Sequence, residues 1–403
     1  MCEHMFVPMI VAVLLPRFAL SVAAGGREEL MGLPAALAPE PGKVDAIGEV
    51  SPAAEAFGVQ PGMRLGEAMA RCPAIALVPP DPAGVAEAWD ALIARLEGIG
   101  AAVASERAGI ACFDGRGLRG IHGGSVEGVV DATRRAVNRP VRVGVAPTPF
   151  AALAAASQAR ARRPRIVKRE EAQRFIAPLP VDLLRLRPRT AGLPPVLERL
   201  GIGTLGALAQ LPRDKVADRF GAPGLHAHDL AQGRDEPLRP RRAGERMQVS
   251  LDLPEAASGM QLARALELLI DRLLAHRERR GRSLRTVVIS AALVEGGTWR
   301  ERIVFREALA DKTRMRLVLT PKLALLPAPA ESLRLAADRF GPAATDQRHL
   351  LEDASVVRAA RLREAVRQTR AVAGPDAALR VLMVDPDSRV PERRAVLAPF
   401  EGA

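Results

Sequence analysis

Tyrosine is absent from this 403-residue chain, and aromatic residues make up only 3% of it. Cysteine is nearly as scarce. Cys2, Cys72 and Cys112 are odd in number and widely spaced, which excludes a disulfide framework and a paired metal knuckle. A reducing cytoplasm is the setting this predicts. Long apolar runs are missing too: the stretch from Met5 to Ala24 is broken by Pro8, Pro16 and Arg17, and its leader carries Glu3 in place of positive charge. It is neither a signal peptide nor a membrane span, and no membrane association is predicted. Its pattern predicts a buried strand running into a helix.

Chemical motifs are equally sparse. No GxGxxG or phosphate-loop pattern occurs, and the six histidines lack metal-ligand spacing. His226, His228 and Asp229 come closest to a ligand cluster, but one residue apart on a predicted helix the two imidazoles point to different faces. No cofactor and no metal site is therefore read from the residues.

What the chain has is apolar content and positive charge. A hydrophobic fraction of 48% over this length predicts several domains of ordinary size. Lys plus Arg number 58 against 46 Asp plus Glu, a net charge of +12, and most of the excess is arginine. Two explanations account for it: a polyanionic partner, because the guanidinium fork suits phosphate oxygens, or the arginine preference of a GC-rich genome.

The order of elements is more specific. A strand is predicted over Met9–Leu15, two short helices within Ser51–Pro73, and an amphipathic helix over Pro82–Gly98 with Val85, Trp89, Leu92, Ile93 and Leu96 on one face. Strands follow at Ala101–Ser105 and Ile110–Phe113, a helix at Ser125–Asn138, and a strand at Val141–Val145. That is a mixed sheet with helices on one face. A small-residue helix and a basic cluster come next, then short helices joined by Gly and Pro turns over Pro178–Arg242. A second strand, helix, two strands, helix, strand series occupies Met247–Phe340, and the tail is predicted to hold a helix over Ala354–Ala373 and a strand over Ala378–Val384. The fold class predicted is α+β.

Four segments in order carry a family resemblance. IVAVLLPRFALSV (Ile10–Val22), SPAAEAFGVQPGMRLGEAMARCP (Ser51–Pro73), VRVGVAPTPFAALAA (Val141–Ala155) and LERLGIGTLGALAQLPRDKVADRFGAPG (Leu197–Gly224) resemble the opening strand, fingers, last palm strand and thumb of the Y-family translesion DNA polymerases. The resemblance implies a ferredoxin-like palm over 1–25 and 75–160, small fingers over 26–74 and a helical thumb over 161–238. It further implies a basic linker over 239–245, a βαββαβ little finger over 246–342 and a partner-binding tail over 343–403.

The departures are concentrated in one place. Two-metal nucleotidyl transfer needs clustered carboxylates holding ions about 3.5–4 Å apart. At the family's acidic positions this sequence has Leu14, Pro16, Gly109 and Ile110, while Asp114 fits a structural aspartate and Glu106 lies near. Pro52, Glu55 and Pro149 stand where the family has triphosphate-holding tyrosine, arginine and lysine. These departures resemble the ImuB-like branch of the family, as does the tail sequence over Leu362–Val381. They predict a protein that is not an enzyme but a noncatalytic accessory factor of damage-induced mutagenesis. The alternative is an active polymerase with relocated acids, drawn from Glu3, Asp45, Glu106 and Asp114.

The partners implied are primer-template DNA, the sliding clamp, an error-prone DnaE-type polymerase and an ImuA-like RecA-related protein. Arg241, Arg242, Arg246, Arg279, Arg280, Arg282, Arg285, Arg300 and Arg302 are the candidates for phosphate contact, and no base-reading set accompanies them. Gln347, Leu350 and Leu351 occupy the place of the clamp peptide without its aromatic anchor.

Overall fold

The computed structural model describes residues 9–25, 27–42, 44–241, 247–294, 296–343, 362, 365, 366, 369 and 377–399. The chain divides into two compact units, 1–342 and 343–403.

The first unit opens with β1 (Ile10–Leu14), every residue of which is buried, as a run of aliphatic residues covered on both faces should be. It leads through Pro16 and Arg17 into α1 (Phe18–Ala23). A small subdomain follows: α2 (Glu28–Gly32), β2 (Ala35–Leu37), α3 (Pro52–Ala56), α4 (Leu65–Arg71) and β3 (Ala76–Val78). The parallel pairing of β2 with β3 was not readable from three-residue runs. Ser51 caps α3, accepting from the Ala54 N–H at 3.2 Å and the Ala35 N–H at 3.0 Å while donating to the Leu33 carbonyl.

Next come α5 (Pro82–Gly98), β4 (Val103–Arg107), β5 (Ile110–Asp114), α6 (Val126–Val137), β6 (Arg142–Ala146), α7 (Pro149–Gln158) and β7 (Arg165–Ile166). Asp81 caps α5 through the Gly84 N–H, with Pro82 in the first turn where its missing donor costs nothing. The sheet order is β4-β5-β1-β6-β7, with β1 antiparallel to both β5 and β6. The period of two along β1 sorts its side chains. Val11, Val13 and Leu15 join Trp89, Leu92, Ile93 and Leu96 of α5 and Val129 and Val130 of α6. Ile10, Ala12 and Leu14 face the other way, into a core with Ile110, Cys112, α7 and the helices that follow. Helix α7 lies so close to the sheet that a Cβ on Gly144 would come within 2.2 Å of the Ala152 carbonyl, which is why its buried positions are filled by alanine.

The helical segment contains α8 (Ala172–Ile176), α9 (Pro194–Arg199), α10 (Leu205–Ala209) and α11 (Arg213–Ala231), joined by 3-10 turns. Gly221, at φ 59° and ψ −149°, breaks the helical path within α11.

Beyond it lie β8 (Met247–Ala257), α12 (Gly259–Ala275), β9 (Arg282–Leu293), β10 (Thr298–Leu309), α13 (Lys312–Leu323) and β11 (Ala330–Ala343), forming a sheet of order β10-β9-β11-β8. Leu262, Leu266, Leu269, Ile270 and Leu273 of α12 pack with Met315 and Leu319 of α13 onto Val287, Ile289, Leu333 and Leu335. Helix α12 begins at a Ser258–Gln261 capping box and stops at His276. A 3-10 turn over Arg277–Arg279 and a left-handed Arg280 then redirect the chain into β9.

In the second unit, β12 (Leu379–Met383) pairs antiparallel with β13 (Ala395–Pro399), the latter not predicted. The tail helix predicted over 354–373 lies almost wholly outside the described residues. Among the described residues no helix is long and apolar enough to cross a membrane. The molecule is α+β.

Candidate functional site

The antiparallel register of β1 and β5 brings Leu14 directly opposite Ile110. Both are dry, at 8% and 6% exposure, inside the core shared by α7 and the helical segment. Gly109 precedes them at φ +86°, where an added Cβ would lie 3.1 Å from the Leu15 carbonyl; its own carbonyl accepts the Leu15 N–H at 2.9 Å. That left-handed conformation and tight contact favour glycine over any acid. Pro16 is exposed and has no carboxylate to offer. Among the described residues, no group of three His, Cys, Asp or Glu side chains could hold a metal ion. The residues at these four family positions therefore supply none of the carboxylates that two-metal nucleotidyl transfer requires.

The acids on this sheet are held by arginines, Asp114 at the far end of β5 opposite Ile10 and Glu106 at the Ile110 end. Asp114 takes three contacts from Arg116: its N–H at 3.0 Å, Nε at 2.9 Å and Nη2 at 2.6 Å. Burial acts to raise the Asp114 pKa, but the Arg116 hydrogen bonds outweigh it and hold the carboxyl below its ordinary value. Glu106, half-exposed on β4, lies 3.2 Å from Arg187 Nη2, which is also 3.3 Å from Asp235. Asp235 is wholly covered and accepts from the Phe150 and Glu236 N–H groups, each at 2.8 Å. Its burial pushes the pKa up, against the opposing pull of Arg187 and those two N–H donors. The neighbouring Cys112 thiol is pushed by burial up to about 12, so it is not a nucleophile. Asp45 is exposed in the small subdomain, and Glu3 lies outside the described residues.

Arg17 links the end of β1 to the small subdomain. Its Nε donates to the Val50 carbonyl at 2.7 Å and its Nη2 meets Glu55 at 2.5 Å, the whole residue resting in the left-handed region at φ 56°. Glu55 is thus neutralised by a residue to which the sequence reading assigned no role. Pro149 opens α7, whose next N–H, that of Phe150, is the one taken by Asp235.

The arginines singled out for phosphate contact fall into distinct settings. Arg241 is bound within the protein: its Nε and Nη2 meet Glu97 at 2.6 and 2.8 Å, its Nη1 meets Asp90 at 3.3 Å, and its N–H donates to Val103. Arg242 and Arg246 lie outside the described residues. Arg279 and Arg282 are half-buried and bridge each other's carbonyls, and Arg282 also stacks on Phe340 at 4.0 Å. Arg280 is exposed at the turn. On the second sheet, Arg285 donates to the Arg306 carbonyl, while Arg302 pairs with Asp338 at 2.7 Å. Arg300 stands half-buried opposite Ser290. Gln347, Leu350 and Leu351 lie outside the described residues.

Residues 13–157 match the model of the impB/mucB/samB family. The DNA polymerase IV of Ralstonia nicotianae is 28% identical over 258 residues, covering 62% of this chain and 71% of that protein. That of Moorella thermoacetica is 28% identical over 242 residues, covering 58% of this chain and 60% of its own. That of Pseudomonas entomophila is 28% identical over 210 residues, covering 51% and 59% respectively. Among solved structures, DinB from Sulfolobus solfataricus aligns with 82% of this chain and 99% of its own at 18% identity and a TM-score of 0.48. A Y-family DNA polymerase chimera aligns over the same shares at 17% and 0.46.

The expectation that this chain is not an enzyme is overturned by its curated relatives, all of which carry the name of a polymerase. Over residues 13–157 this chain is similar to the impB/mucB/samB family, and over about half of its length or more to the DNA polymerase IV proteins of these three bacteria.

Proposed function

We propose that this protein is a Y-family DNA polymerase that works on primer-template DNA during synthesis past damaged bases. The observation that carries this reading is the match to DNA polymerase IV across 62% of the chain. This reading requires acids outside the four family positions, and Glu106, half-exposed on β4, is the candidate retained beside them. The sheet around β1 acts as palm, with 26–74 as fingers, 161–238 as thumb, 239–245 as basic linker and 246–342 as little finger. Exposed Arg280, Arg285 and Arg302 contribute sequence-tolerant phosphate contacts, so affinity falls steeply with salt.

The resemblance of Leu362–Val381 to the ImuB tail supports a second element: attachment of 343–403 to the sliding clamp, a DnaE-type polymerase and an ImuA-like protein. Pull-down of each purified partner by the full chain, compared with a chain ending at residue 342, tests it.

The polymerase reading is tested by primer extension with Mg²⁺ or Mn²⁺ beside a salt titration of primer-template binding. Extension that Glu106→Ala abolishes is the expected result. Binding without extension under either metal overturns the catalytic part and leaves the DNA-binding part standing.

A further inference from the structure

A four-stranded sheet with both helices on one side ordinarily leaves its other face to water. On the second sheet that face is exposed at Arg302, Val304 and Asp338 but covered elsewhere. On β9, Val287, Ile289 and Ala291 face α12 and α13, yet the alternate residues Thr286, Val288 and Ser290 are also buried, at 0%, 6% and 2% exposure. At Ser290 the cover is helix α5, more than 180 residues earlier in the chain. Its Glu87 accepts from Arg334 Nη1 of β11 at 2.7 Å and from the Ser290 hydroxyl. Asp81, at the start of the helix, accepts from the Thr298 hydroxyl of β10 at 3.0 Å. Gly84 permits the approach, since a Cβ there would meet the Thr298 hydroxyl at 2.7 Å. Farther along α5, Asp90 and Glu97 take Arg241 of the connecting segment.

This cover fits imperfectly. Among the described residues, Arg334 Nε and the Thr286 hydroxyl are buried without a hydrogen-bond partner. Buried polar groups are seldom left so in a face made for permanent closure. Both are donors, beside a guanidinium and two hydroxyls already turned toward carboxylate oxygens. The missing complement is a set of anionic oxygen acceptors more numerous than α5 supplies.

We propose that α5 is an internal latch: Glu87 and Asp81 occupy the outer face of the second sheet in the DNA-free protein, and the phosphate backbone of primer-template DNA displaces them. This rests on the DNA-binding reading above. The displaced face offers phosphate oxygens Arg334, Ser290 and Thr298, and the competition lowers the affinity of the closed form by the cost of opening.

The test compares Glu87→Gln with Glu127→Gln, the same charge change on an exposed position of α6, in fluorescence titrations with one primer-template duplex at fixed salt. Glu87→Gln is expected to bind about fivefold tighter than the native protein, and Glu127→Gln to match it. Spin labels at Arg95→Cys on α5 and Arg306→Cys on β10 should move apart when DNA is added. Equal affinity of the two glutamine variants, or a label distance unchanged by bound DNA, overturns the latch while leaving DNA binding intact. Failure of every protein to bind the duplex overturns the DNA-binding reading, and the latch with it.

Discussion

Removing Asp235 should loosen the joint between the first sheet and the helical segment. Its carboxylate, wholly covered, takes the Phe150 N–H at the start of α7, its neighbour's N–H, and Arg187 at 3.3 Å. In Asp235→Ala the buried Phe150 donor loses its acceptor, a loss of about 1–3 kcal/mol. Removing one partner of a buried pair costs about 3–5 kcal/mol where the other charge is left alone, but Arg187 keeps Glu106 at 3.2 Å, which places this pair at the low end. Part is returned, because the carboxylate is held ionised against its own desolvation, which raises its pKa. The net is about 3 kcal/mol, and with a urea slope of about 3 kcal/mol per molar the unfolding midpoint should fall by about 1 M. A shift under about 0.3 M would refute the assignment of this carboxylate as the tie between α7 and the helical segment. Asp235→Asn should cost less, since the amide oxygen still accepts from Phe150. The pH dependence follows from the sign of the shift. A raised folded-state pKa favours the protonated form, so a protonation-linked contribution, separate from the hydrogen-bonded tie, is fully present below the ordinary 3.8 and is lost as pH rises through the raised value. The asparagine variant should lack that decline.

Three further outcomes are expected. Ser51→Ala should cost about 1–3 kcal/mol by orphaning the Ala35 and Ala54 N–H groups, seen as faster hydrogen exchange at those two amides; unchanged exchange would count against the cap. Gly144→Ala should lower the thermal midpoint strongly, because its Cβ meets the backbone of α7 at 2.2 Å and neither strand nor helix can yield cheaply; a native midpoint would contradict the packing. At Asp229, burial acts to raise the pKa but the hydrogen bonds from Arg213 and Arg234 prevail and lower it. Its stabilisation is therefore present above 3.8 and lost as pH falls through the lowered value, so the stability gap between the native protein and Asp229→Asn should close on acidification.

Much of the architecture was legible in the sequence because it follows from local period. The aliphatic run at β1, the 3.6-residue stripe of α5 and the strand, helix, strand, strand, helix, strand order over 247–343 all reappear in the structure. Where the reading missed, the signal was too short or nonlocal. Strands β2 and β3 are three residues each and exist only as a pair. The end of α12 is set by the turn through Arg280, not by any break in its apolar stripe. The acidic positions were placed from neighbouring framework residues, and their apolar character was plain. Its consequence for activity was misjudged, as relatives named for polymerase activity show.

The sequence by itself determined which segments become strands and helices, the surplus of arginine, and the apolar residues Leu14 and Ile110 at the end of the first sheet. Only the tertiary structure decided which arginines are spoken for. Arg241 looked like a free cation in a basic linker, and 144 residues of sequence separation concealed its partner Glu97. Arg17 with Glu55 and Arg187 with Asp235 are likewise distant pairs, and Glu87 reaches Arg334 across 247 residues. Periodicity is written in neighbouring residues, whereas an ion pair depends on a distance of a few ångströms that exists only after the chain has folded.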